Sequence, residues 1–117
     1  MKVGNEWKAF LRRLRSEFAV SDCSVYAGDG CEMERIDGKE LPNELLEQYL
    51  SYETTMIITE KTGCRMITRF PVFGTVYLLV LFTQDMNGLS ENETSYILRD
   101  LHTLQERLRH QGKEQAS

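Results

Sequence analysis

The sequence predicts an α+β domain: a single antiparallel sheet of about five strands, with the N- and C-terminal helices on one face and a short helix on the other. Three features lead there. Val76 to Phe82 is seven apolar residues in succession, bounded by Gly74 and by Gln84-Asp85. A run so short and so uniformly apolar is a strand covered on both faces, which belongs at the centre of a sheet. Both ends of the chain carry helical apolar periodicity, over Asn5 to Phe18 and over Glu91 to about His110. The last three strand-like stretches are joined by turns too short for parallel crossovers, so they form an antiparallel meander.

The first helix places Trp7, Phe10, Leu11, Leu14 and Phe18 on one side and Glu6, Lys8, Arg12, Arg13 and Glu17 on the other. So much aromatic surface on one helix has to dock. Ser21 to Ala27 then alternates Cys23, Val25 and Ala27 against Asp22, Ser24 and Tyr26, the pattern of a strand. Gly28-Asp29-Gly30 is the turn after it. Cys31 to Ile36 returns as a second strand whose Glu32, Glu34 and Arg35 suit an edge. After a turn at Asp37 to Glu40, Pro42 opens a short helix running to about Tyr52, with Leu45, Leu46, Tyr49 and Leu50 along one side.

Strand character resumes at Thr54 to Thr59, turns at Lys61-Thr62-Gly63 and continues from Cys64 to Phe70, with Met66 and Phe70 pointing inward. Pro71 to Gly74 is expected to break this strand from the central one. In the last helix Ser90 caps the first turn and Glu93 reaches back to it, a capping box. Ile97, Leu101, Leu104 and Leu108 follow at steps of four, three and four. Residues 1–110 are expected to form one domain and residues 111–117 a polar, frayed tail.

The formal net charge of −4 argues against nucleic acid as a direct partner, since phosphate binding needs a basic footprint. No apolar segment is long enough to cross a bilayer and the start lacks a secretory pattern, so no membrane is involved and a cytoplasmic location is expected. Lys8, Arg12, Arg13 and Arg15 read as a solvated helix face. Cys23, Cys31 and Cys64 share no metal-type spacing, and His102 and His110 both sit on the last helix, so a structural metal site is not expected. The cysteines are expected to be reduced thiols.

The stretch RFPVFGTVYLLVLFTQDMNGLSENETSYILRDLHTLQERL resembles the closing section of a GAF domain, a small sensor module of bacterial signalling proteins. It repeats that family's succession of strand, proline step, glycine turn, apolar strand, polar loop, S/T-x-x-E helix start and long final helix. SVYAGDGCEMERI and the helix before it are consistent with the family's opening half. The resemblance implies a regulatory role in the GAF, PAS and profilin-like group of folds. The chain is shorter than ligand-binding members where extra loops wall off their pocket, so no deep cyclic-nucleotide or tetrapyrrole site is expected and no cofactor is implied. SVYAGDGCEMERI also resembles the strand, D-G turn and strand of roadblock and longin-like domains, which scaffold complexes or bind GTPases.

Two sets of residues are candidates for function. Tyr26, Met56, Ile58, Met66 and Phe70 would line a small-molecule pocket between the sheet and the middle helix, with plain core packing as the competing reading. Trp7, Phe10, Leu14, Phe18, Ile97, Leu101, Leu104 and Leu108 would bury one side on the sheet and pair the rest across a homodimer axis, against purely internal packing. The expected function is therefore a non-enzymatic regulatory domain that binds a small ligand or a protein and dimerises through its terminal helices. A thiol enzyme using Cys31 with Cys64 is the alternative of a different class, weakened because Asp29, Glu32 and Glu34 beside Cys31 disfavour a thiolate.

Overall fold

The computed structural model describes residues 2–18, 20–52, 55–60, 63–84 and 89–116. The elements follow in the expected order: α1 (Lys2–Glu17), β1 (Asp22–Gly28), β2 (Met33–Gly38), α2 (Asn43–Leu50), β3 (Met56–Glu60), β4 (Gly63–Val72), β5 (Thr75–Thr83) and α3 (Glu91–Ala116). The five strands form one antiparallel sheet in the order β2-β1-β5-β4-β3. The apolar run is thus the central strand, and the charged β2 is an edge. Thr54, Lys61-Thr62, Asp85 to Gly88 and Ser117, which the sequence assigns to a strand start, a turn, a loop and the tail, lie outside the described residues.

β5 shows why its sequence has no polar side. Tyr77, Leu79 and Leu81 pack into a core with α1 and α3, while Leu78 and Val80 pack into a second core with Leu46 and Tyr49 of α2. Successive side chains of a strand leave on opposite faces, so a strand between two helical layers must be apolar at every position.

Four details differ from expectation. β2 starts at Met33 rather than Cys31 because the Asp29 carboxylate accepts the N–H groups of Cys31 and Glu32, at 2.8 and 2.7 Å, and holds both in the turn. Pro71 does not break β4: the strand runs through it to Val72, paired with Val76 and Thr75 of β5. Among the described residues β3 pairs β4 no further than Ile67, so no described strand calls on the N–H that Pro71 lacks. A tight turn at Phe73-Gly74, both at positive φ (49° and 83°), closes this β4–β5 hairpin.

α3 opens on the expected capping box, with the Ser90 N–H donating to Glu93 Oε1 and the Glu93 N–H to Ser90 Oγ, at 3.2 and 3.1 Å. It continues through Gln111 to Ala116, where fraying was expected, because that stretch is rich in good helix formers.

The fourth difference concerns the helical seams. Trp7, Phe10, Leu14, Ile97, Leu101, Leu104 and Leu108 are each at most 6% exposed within a single chain, and Phe18 is half-buried against the same core. α1 and α3 lie antiparallel, joined at their rims by ion pairs Arg13–Asp100 (3.0 Å) and Glu6–Arg107 (3.1 Å). Both turn their apolar sides down onto Cys23, Val25, Met66, Leu79 and Leu81. The four-three-four spacing is therefore that of a helix on a sheet, and of the eight seam residues Phe18 alone keeps surface that a second chain could cover.

Candidate functional site

α2 is only eight residues, about 12 Å of helix, and cannot cover its whole face of the sheet. Leu46 and Tyr49 seat it on Tyr26, Ile67, Leu78 and Val80. The Tyr26 hydroxyl accepts the Leu41 N–H at 2.8 Å, tying down the segment that leads into the helix. Beyond α2, where β1 begins and β5 ends, the face lies open as a cleft of about 620 Å³.

The register of three strands builds this cleft. Asp22 of β1 stands opposite Phe82 of β5, and Phe82 opposite Arg65 of β4. Directly opposed residues of antiparallel strands share a face, so an acid, an aromatic ring and a guanidinium form one row. Ile58 extends the row as the partner of Arg65. The Arg65 guanidinium lies 5.0 Å from the Phe82 ring centroid and the Lys39 ammonium 5.4 Å, so one ring carries two cations.

Both cations are positioned by backbone contacts or by a neighbouring side chain. Lys39 donates its N–H to the Cys23 carbonyl at 2.9 Å, and its own carbonyl accepts the Ser24 hydroxyl. Arg65 donates to the Tyr49 hydroxyl, and Arg69, four residues on and on the same face, donates to the Leu50 carbonyl at the end of α2. The two arginines thus fasten α2 by its C-terminal turn, where a helix presents unpaired carbonyls and a partial negative charge. At the floor, Gly63 lies so close to the next strand that an added Cβ would stand 1.9 Å from the Thr83 carbonyl oxygen.

Asp22 turns one carboxylate oxygen back to the Cys23 N–H at 3.0 Å, so the cleft holds charges of both signs, Asp22 beside Lys39 and Arg65. Its chemistry suits a small polar molecule.

The five residues expected to line a pocket are not brought together. Tyr26 and Ile58 belong to the α2 face, and Met56, opposite Ile67, lies on that face at the sheet edge, 38% exposed. Met66 and Phe70 point to the other face, into the core under α1 and α3, where Phe70 stacks on Tyr77 with centroids 5.5 Å apart. All five are even-numbered, but the register pairs even positions of β3 with odd positions of β4, Met56 with Ile67 and Ile58 with Arg65, so the even positions of the two strands take opposite faces. Met66 does border a second, mostly apolar cavity of about 110 Å³ with Ile57, Leu81 and Leu89.

Cys31 and Cys64 sit at opposite ends of the sheet, roughly 20 Å apart by strand length, far beyond the reach of a disulfide. Burial pushes the Cys23 thiol up to about 11. The residues that sequence reasoning missed are Lys39, Arg65 and Phe82. The only sequence signal for them was Arg65-x-Ile67-x-Arg69, two cations on one face of an interior strand, which require partners.

The elements build an α+β sandwich with a five-stranded antiparallel sheet, paired terminal helices on one face and a half-covered cleft on the other. No protein-family model matches the sequence, and no curated protein matches it significantly. Among solved structures, the chain is similar to a GAF domain/HD domain protein from Geobacter sulfurreducens, with a TM-score of 0.67 and 15% identity over 93% of this chain and 92% of that one. The fold is GAF-like. Among the described residues, no helix is long and apolar enough to cross a membrane.

Proposed function

We propose that the chain is a non-enzymatic regulatory domain of cytoplasmic signalling, which binds a small molecule in the cleft over Phe82 and works as a homodimer. The observation that carries this reading is the double role of Arg65, which lies on the Phe82 ring inside the cleft and also holds the Tyr49 hydroxyl of α2. A ligand that draws on the guanidinium changes what holds α2, so occupancy of the cleft and the seating of the helix become one equilibrium. The GAF-like fold supports the regulatory class.

Native mass spectrometry of the freshly purified chain tests the ligand. The expected spectrum shows an added small mass that is lost in Lys39→Ala. An added mass that Lys39→Ala retains, or a native chain that carries none and takes up none from a panel of organic acids and phosphates, would remove the cleft from the account.

A further inference from the structure

We propose that two copies of the chain join through β3, pairing edge to edge about a two-fold axis at Ile57 to make one ten-stranded sheet. The proposal rests on the homodimeric part of the reading above and is independent of the cleft.

The two edges of the sheet are built differently. β2 carries Glu34, Arg35 and Asp37, and its register against β1 slips at Val25/Tyr26. Charge and an irregular register are the devices by which sheets keep an edge unpaired. β3 has neither. Its sequence is Met56-Ile57-Ile58-Thr59-Glu60, its register with β4 is unbroken, and Met56 and Ile57 are 38% and 60% exposed. An open, regular, β-branched edge with no charge before its last residue is a template for another strand.

Self-complementarity identifies that strand as a second copy. In an antiparallel pair about a two-fold axis, side chains stay on their own faces only when the axis passes through a residue. An axis at Ile57 sets Ile57 against Ile57 and Thr55 against Thr59 on the face of the terminal helices, and Met56 against Ile58 on the α2 face. Each of these three pairs is apolar with apolar or threonine with threonine, and no like charges meet in them. An axis at Ile58 would instead set Met56 against Glu60 and Ile57 against Thr59, and an axis at Met56 would set Ile57 against Thr55, so the axis at Ile57 gives the best-matched pairs. Ile57 also borders the small apolar cavity formed with Met66, Leu81 and Leu89, so Ile57 of the second copy lands beside an apolar wall. Alternate residues of β3 turn their N–H and C=O groups outward whichever set faces β4, and an axis through a residue fits both cases.

Sedimentation velocity of the full chain, native and Ile57→Lys, tests this. The native chain is expected to sediment as two copies. Ile57→Lys, which sets two ammonium groups face to face at the axis, is expected to sediment as one copy with unchanged circular dichroism. In a Cys31→Ser background, Ile57→Cys is expected to oxidise to a covalent dimer. Met56→Cys is expected to remain uncrosslinked alone and to crosslink when mixed with Ile58→Cys. A monomeric native chain, a dimer that survives Ile57→Lys, or an Ile57→Cys chain that does not crosslink each overturns the proposal. Should Ile57→Lys disturb the fold, the cysteine pairs decide alone. Loss of the dimer leaves the cleft's ligand mass unchanged, so failure of this interface is distinguishable from failure of the ligand reading.

Discussion

Cys23 lies fully buried on the helix-covered face, and burial holds its thiol up at about 11 against an ordinary value of 9.0. The neutral thiol is thereby favoured in the folded chain, so the associated stability is complete below the ordinary value and is lost as pH rises through the raised one. The urea midpoint of the native chain is expected to fall between pH 9.0 and about 11 more steeply than that of Cys23→Ala. Equal slopes would show that the thiol is not what titrates. Tyr77, raised by burial, adds to the fall in both proteins and cancels in the comparison. The same desolvation that makes Cys23 inert as a nucleophile sets it apart from Lys39 and Arg65, whose charged ends meet at a half-exposed ring in an open cleft.

At the scale of an element, the β4–β5 hairpin carries the clearest backbone strain. Phe73 is the one described non-glycine residue with positive φ, at 49°, and its ring is 63% exposed. Asn before Gly is the pair such a two-residue turn prefers, because Asn enters the left-handed region at lower cost. Phe73→Asn is expected to stabilise the chain by about 1 kcal/mol in chemical denaturation. Destabilisation instead would mean that the ring makes a contact worth more than the strain. Elements of this kind divide what the sequence reveals from what it hides. β5 and the capping box of α3 were legible because each is set by adjacent residues: an unbroken apolar run, and a serine three positions before a glutamate. The persistence of β4 through Pro71 was not, since it depends on β3 ending short of that point. The helical seams were legible as apolar and not as to what they cover, because period alone does not distinguish a sheet from a second helix. Lys39, Phe82 and Arg65 were hidden for a further reason: their meeting is a product of strand register, which no local pattern records.

Across the whole molecule the two layers on the sheet are held unequally. α1 and α3 share a core with Trp7, Leu11, Leu14, Ile97 and Leu104 all at most 3% exposed, braced by ring contacts from Trp7 to Phe70 and Tyr77 at 5.8 and 5.5 Å. α2 buries only Leu46 and Tyr49 of its own residues and relies on Arg65 and Arg69 to hold its last turn. Parts of a protein that move at small cost are those with few buried apolar contacts, and a regulatory helix has to be one of them. Hydrogen exchange is therefore expected to show the amides of Asn43–Leu50 opening well before those of β5 and α3 in the native chain. Arg69→Ala removes the donor at the Leu50 carbonyl and is expected to speed exchange in α2 by about tenfold, the effect of roughly 1.4 kcal/mol, while β5 keeps its protection to within the loss of global stability. Equal acceleration everywhere would mean that α2 melts only with the whole domain. In that case a ligand on Arg65 could not reseat the helix without unfolding the sheet beneath it. Selective acceleration would establish α2 as the separately moving layer that coupling to the cleft requires.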